Sequence, residues 1–359
     1  MTPPPRMRSS RILVHLTRED MGHEGRYLFL LLYFLTRHGE QITLVSPPRE
    51  LGTYGGLSHT LRTVSFRHEM PLPSPDMILI TDSEADAATA LGWEKVFWLD
   101  YEIFKDRASL KGIPYAVVPY SMHPLVYGTL DGLALNTLHN LKRYIRLFFS
   151  GNTDKRNYSG SLATNRFQML SRCAALEFAK NHLANSLLTT ALPQDLRHGD
   201  GAEHEHKFVV IEGEAGRIKR KNWLATLAHC DFFLSLPGVK MPLSHNAIEA
   251  IAAAAIPLIN YPKWFRPPLE NGVNCLAFTD EPSLAKALNE AFSMGECQIA
   301  AMRQNVIEYY THYLAPDQFA ARLWTQPSGL KLFYNVEAGP VLEHLHPGSV
   351  YLSDPIDPL

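Results

Sequence analysis

The chain has 359 residues, 46% hydrophobic and 19% charged, enough for two cores of ordinary size and too apolar for a disordered chain. Its 34 Lys and Arg against 36 Asp and Glu leave a formal net charge of −2, so no global field draws it to nucleic acid and any anion site must be local. The four cysteines, Cys173, Cys230, Cys275 and Cys297, show no paired or metal-ligand spacing, the usage expected of reduced thiols in a cytoplasmic protein.

In chain order, MTPPPRMRSSRILVHL carries basic residues, but its apolar run is too short for a signal-peptide core and is broken by His15. RILVHL (11–16) predicts a strand, MGHEGRYLFLLLYFLTRHG a helix closed by Gly39, and QITLVS a second strand. The greasiest piece, YLFLLLYFL, falls well short of the roughly 20 residues a membrane span needs and predicts a buried helix. MILITD, KVFWLD and PYAVVPY predict further strands, with a short alanine-rich helix at 85–91. The basic-aromatic LKRYIRLFFSGN then opens a second series at RLFFSG, either a buried strand or, at most, a peripheral membrane contact. A helix through RFQMLSRCAALEFAKNHL, the strand KFVVIEG, the helix NWLATLAHC and the strand DFFLSLPG follow. After them come an alanine-rich helix, strands IPLIN and NCLAFTD, the helix EPSLAKALNEAFSM, and a last pair, MRQNVIEYYTHYL and DQFAARLW. Short apolar runs alternating with helices predict an α/β chain of two Rossmann-like doubly wound domains facing a cleft. Their predicted bounds are 1–145 and 146–326, with the Pro- and Gly-rich 327–359 as a tail packed on the body.

In such sheets ligands sit beyond the carboxyl ends of the strands, which directs attention to PGVKMPLSHNAIEAIAAAAIPLINY (237–261). Pro237 and Gly238 end a strand, and the chain then enters a helix whose free N–H groups and dipole favour a phosphate. Gly238 would let the backbone approach a ligand closely. His245 and Glu249, four apart, share a helical face. Glu249 has two readings: a carboxylate for two vicinal ribose hydroxyls, or the N3 partner of Asn246 in a capping box.

The segment DFFLSLPGVKMPLSHNAIEAIAAAAIPLI resembles the nucleotide-sugar-binding stretch of GT-B glycosyltransferases, most closely the exostosin-like group. The upstream IKRKNWLATLAHCDFF and downstream NGVNCLAFTD resemble the elements flanking it there, so the likeness covers roughly 217–280, about a sixth of the chain. The resemblance implies a polysaccharide-building sugar transferase whose second domain holds a nucleotide-diphosphate sugar as donor substrate, with no cofactor, and whose first binds a glycan or lipid-linked acceptor. Glu249 would take the ribose, Ser244, His245 and Asn246 would sit near the diphosphate, and Arg217 or Lys221 would clamp it. LFFSGNTDKRNYSG resembles the opening strand and turn of that domain, placing Gly151 and Asn152 toward the donor; an interdomain turn explains its composition equally well. Two departures stand out. GCIP reads AAIP here (254–257), and the pair of glutamates eight apart seen in retaining members is missing, since Met241 and Pro257 hold those positions. The second favours an inverting mechanism.

Inverting transfer needs a base for the acceptor hydroxyl. In TREDMGHEGRY the loop after the first strand offers Asp20, His23 and Glu24, beside Glu19, with Gly22 and Gly25 permitting close approach; a capped helix start is the plainer use. Asp82, Asp100 and His123 end other predicted strands and are fallback bases. No DxD triplet occurs, so helix dipole and cations are expected in place of a metal. A non-catalytic nucleotide-sugar or glycan binder and a GT-B-type sugar epimerase are the rival functions.

Overall fold

The computed structural model describes residues 11–18, 25–37, 41–45, 64–88, 91–101, 113–130, 135–160, 162–189, 204–212 and 218–336. Thirteen strands lie in these residues: β1 (Arg11–His15), β2 (Gln41–Val45), β3 (Val64–Arg67), β4 (Met77–Thr81), β5 (Lys95–Asp100), β6 (Tyr115–Val118), β7 (Ile145–Gly151), β8 (Leu187–Thr189), β9 (Phe208–Glu212), β10 (Cys230–Ser235), β11 (Ile256–Ile259), β12 (Leu276–Ala277) and β13 (Leu330–Tyr334). The α-helices are α1 (Arg26–Thr36), α2 (Glu84–Ala88), α3 (Pro124–Tyr127), α4 (Leu135–His139), α5 (Lys155–Tyr158), α6 (Leu162–Phe167), α7 (Arg172–His182), α8 (Arg220–Ala228), α9 (His245–Ala252), α10 (Glu281–Ser293), α11 (Glu296–Tyr309) and α12 (Pro316–Thr325). Among the described residues no helix is long and apolar enough to cross a membrane.

The strands form two sheets, ordered β3-β2-β1-β4-β5-β13-β6 and β12-β11-β10-β7-β9-β8. Every ladder between the named strands is parallel. The expected α/β class with two doubly wound parallel sheets is therefore what the chain adopts. In the first sheet the chain runs outward from β1 through β2 to β3 and then reverses, crossing to β4 on the other side of β1. In the second it goes from β7 to the edge strand β8, back to β9 beside β7, and then crosses to β10 on the other side of β7. With right-handed crossovers, that reversal sends helices to both faces and opens a crevice at the strands' carboxyl ends.

The unit boundaries differ from the expected ones. The chain divides into Met1–Pro119 with Ala315–Leu359, and Tyr120–Leu314. Residues 120–144 go with the second unit because α3 and α4 pack on α8. Helix α12 goes with the first because it packs on α1, with Phe319 edge-on to Phe34 at 5.8 Å. The segment read as a tail supplies β13, an interior strand of the first sheet between β5 and β6. All five of its residues are buried, and its one charge, Lys331, is paired with Asp100 at 3.1 Å and lies 3.9 Å over the Trp98 ring. Residues 337–359 lie outside the described residues.

Local chemistry explains the two helices that matter most. Nine consecutive residues of α1, Tyr27 to Leu35, are buried, as an all-round apolar helix requires, and Gly25 precedes them at φ 73. In α9, Ala247, Ala250 and Ala252 are fully buried, so small side chains let the helix lie close on its sheet. It ends in a Schellman motif, with the Ala255 amide donating to the Ala250 carbonyl at 2.9 Å and Ala254 left-handed at φ 60. That is the position where GCIP has glycine, so the departure costs backbone strain of about 1–2 kcal/mol. Ala254→Gly is expected to raise the stability of the second unit by up to about 1 kcal/mol, after the glycine's extra chain entropy, in urea melts; a loss of stability would contradict the assigned conformation.

Candidate functional site

The second sheet reverses between β7 and β10, and the turns leaving those two strands carry most of the sequence-predicted donor residues. From β10 the chain passes Leu236 and Pro237 into a tight turn closed by the Gly238 amide donating to the Pro242 carbonyl at 3.1 Å. A Cβ on Gly238 would stand 2.6 Å from the Met241 carbonyl oxygen and 3.0 Å from that of Leu243. The glycine is thus required by the chain's own turn, not by a ligand's approach as the sequence suggested. Met241 and Leu243 are buried and plug the turn to the core.

Helix α9 then begins at His245, with Ser244 as N-cap at φ −134, ψ 136 and no side-chain cap. The first-turn amides of a helix have no intrahelical acceptor, and here no side chain of the cap residue serves them. Instead the neighbouring side chains hang the helix start on adjacent segments. Asn246 Nδ2 donates to the Ser150 carbonyl at 3.2 Å, at the end of β7. His245 Nδ1 lies 2.6 Å from the Ser121 carbonyl. A carbonyl only accepts, so Nδ1 carries the hydrogen. The His245 ring stacks on Tyr120 at 5.0 Å and meets His123 edge-on at 5.5 Å.

Glu249 has neither cap nor surface geometry. The Asn246 capping box does not form, because the helix starts two residues earlier than it requires, with Ser244 as N-cap, and Glu249 falls in the second turn. The carboxylate is 3% exposed. Oε1 accepts from the His123 amide at 3.0 Å and Oε2 from Trp223 Nε1 at 2.6 Å. Burial drives its pKa up to about 7, against the pull of those two donors. Its observed work is to tie α8 and the segment before α3 to α9; the expected ribose contact finds both oxygens already engaged inside the unit.

On α8, Lys219, Arg220 and Lys221 stand exposed at the N-terminal end. Three cations at the positive end of a helix dipole oppose it, an arrangement that a bound anion would relieve. Arg217 lies outside the described residues. Gly151 ends β7 against Asn246 Nδ2 and Arg172 Nη1, at 3.7 and 3.5 Å from where its Cβ would be. Asn152 is exposed, with its side chain accepting from the Asp154 amide at 2.9 Å.

One residue that sequence reasoning passed over, Arg172, lies at the middle of these turns. At the start of α7, behind the N-cap Ser171, it is 7% exposed, and burial lowers its pKa. Nε and Nη2 donate to the Pro237 carbonyl at 3.2 and 2.9 Å, Nη2 to that of Leu236 at 3.4 Å, and Nη1 to that of Asn152 at 3.1 Å. The guanidinium lies 4.1 Å over the Tyr158 ring. An arginine at the first helical position sits against the dipole, which calls for a specific partner, but the single helix expected through RFQMLSRCAALEFAKNHL put Arg172 in its middle and hid that position.

In the first unit, Asp20, His23 and Glu24, with Glu19, lie outside the described residues; they follow β1, a strand at that sheet's reversal point. The fallback bases have structural partners. Asp82 accepts from the Thr17 amide and hydroxyl at 2.6 and 2.9 Å, the Arg18 amide at 3.2 Å and the Tyr101 hydroxyl at 3.2 Å. Asp100 pairs with Lys331, and His123 Nδ1 caps α3 by accepting from the Leu125 amide at 3.2 Å. Among the described residues no cluster of His, Cys, Asp or Glu is arranged to hold a metal ion.

No protein-family model and no curated protein matches the sequence. Among solved structures, the chain is similar to Anabaena HepE in complex with UDP and glucose, at 11% identity over 88% of this chain and 98% of that one, TM-score 0.41. A glycosyltransferase from Rickettsia africae is similar at 11% identity over 89% and 97%, TM-score 0.46. AviGT4, a glycosyltransferase involved in avilamycin A biosynthesis, is similar at 10% identity over 88% and 96%, TM-score 0.40.

Proposed function

We propose that the chain is a GT-B glycosyltransferase that binds a nucleotide-diphosphate sugar on its second unit and transfers the sugar, with inversion and without a metal, to a hydroxyl of a glycan or lipid-linked acceptor. The observation that carries this is the reversal point between β7 and β10, where the uncapped start of α9 and the basic start of α8, two helices packed together, supply amides and cations. A helix N-terminus at a strand's carboxyl end suits an anion, and the sequence there is the stretch that resembles the donor-binding segment of that fold.

In this reading the amides of His245 and Asn246 hold the diphosphate and Ser244 lines its approach. Arg217 and Lys221 neutralise the charge that develops on it as the sugar leaves. Glu249 sets the distance between α8 and α9 beneath the site. Asp20, His23 or Glu24 removes the acceptor proton as the new bond forms, and exclusion of water protects the activated sugar from hydrolysis.

The test is a panel of nucleotide sugars with the purified protein, scored by thermal shift and by release of nucleoside diphosphate with chelator present. Stabilisation by one nucleotide family and chelator-resistant release are expected; no stabilisation by any nucleotide or nucleotide sugar would overturn the reading. Donor binding without turnover, indifferent to changes at Asp20 or His23, would make the chain a binding protein instead.

A further inference from the structure

Four contacts around α9 close a ring. Asn246 fixes the helix start to the Ser150 carbonyl at the end of β7. From Ser150 the chain runs through Gly151 to Asn152, whose carbonyl Arg172 holds. The same guanidinium holds the Leu236 and Pro237 carbonyls beyond β10, and from there the Gly238 turn leads back into α9. Arg172 is the one side chain in that ring that bonds both strand-end turns, and it is buried and stacked on Tyr158.

We propose that Arg172 is a positioning residue of the donor site: by clamping the turns after β7 and β10 to each other it sets where the first amides of α9 stand, and so sets donor affinity without touching the donor. This rests on the reading of the second unit as the donor side. The chemistry favours arginine for the task. Its planar fork reaches carbonyls in two directions at once, whereas a lysine ammonium on its flexible stem presents one point charge. A clamp made of geometry therefore cannot be replaced by charge alone.

That difference gives the test. Arg172→Lys keeps the charge and loses the bridge; Arg172→Gln loses both. For each variant and the parent, hydrogen exchange would be followed at 151–154 and 236–243, and donor affinity by calorimetry with the nucleotide sugar that stabilises the parent best. Both variants are expected to exchange faster in both turns together and to bind at least about tenfold more weakly, with kcat at saturating donor changed by less than about threefold. Should Arg172→Gln fail to fold, Arg172→Lys carries the experiment. Lysine restoring parental affinity would overturn the proposal, because charge would then be what the site needs. Unchanged exchange in either turn would overturn it as well. A parent that binds no nucleotide sugar is a different result: it sinks the donor reading and the affinity clause with it, while the exchange data still decide whether Arg172 couples the two turns.

Discussion

A chain ending at Gln326 is expected to lose its folded first unit. The deletion takes out β13, which lies between β5 and β6, and leaves the two without a hydrogen-bonded neighbour on the facing edges. It also removes the buried side chains of Leu330, Leu332, Phe333 and Tyr334. At roughly 1.5–3 kcal/mol for each, that is on the order of the whole net stability of a domain. Thermal unfolding followed by circular dichroism should then show the second unit's transition alone. A milder version isolates the buried pair. Lys331→Ala takes the ammonium 3.1 Å away from Asp100, whose side chain is 8% exposed, and breaking a buried pair from one side typically costs about 3–5 kcal/mol. Near-parental stability of both the truncated chain and Lys331→Ala would show that 327–359 is the peripheral tail its composition suggests.

Glu249 should make the second unit less stable as the pH rises. Its folded pKa of about 7 exceeds the ordinary 4.5, so between those values the folded chain keeps a proton that the unfolded chain has released. Stability is then full below about pH 4.5, falls as pH climbs to about 7, and is flat above, a loss of about 3 kcal/mol over the window. Glu249→Gln cannot titrate, and the difference between its urea-melt stability and the parent's should carry this slope and little else. The amide also turns one donor toward Trp223 Nε1 or the His123 amide, and Glu249→Ala takes the acceptor away from both donors. The alanine variant should lose about 2–4 kcal/mol at pH 5. A parent and Gln variant with parallel pH profiles would show that the carboxyl is solvated, which is the geometry a direct ribose contact would need.

Ten of the thirteen strands were legible because each reads as a short apolar run bounded by turn residues, as in MILITD or KFVVIEG, whereas the short edge strands β3 and β8 were passed over. β13 was missed as well, since LKLFY sits in a Pro- and Gly-rich stretch whose composition, averaged over 33 residues, hides a five-residue strand. Its buried lysine also breaks the expected apolar pattern, and its partners, Asp100 and the Trp98 ring, are distant in sequence. At the site, the start of α9 was readable to within two residues, but its lack of a side-chain cap was not. The role of Glu249 was not: a capping box and a ribose ligand share the spacing that the sequence displays, while the partners that engage the carboxylate, Trp223 and His123, come from elsewhere in the chain. Arg172 illustrates the same limit. Its acceptors are backbone carbonyls, which leave no mark on residue identity.

The proposed donor site turns on the amides that open α9. A crystal of the protein grown with the nucleoside diphosphate that stabilises it most should show phosphate oxygens within hydrogen-bonding distance of the His245 and Asn246 amides, with cations of 217–221 nearby. A nucleotide seated elsewhere, with the start of α9 bare at saturating concentration, would contradict the account.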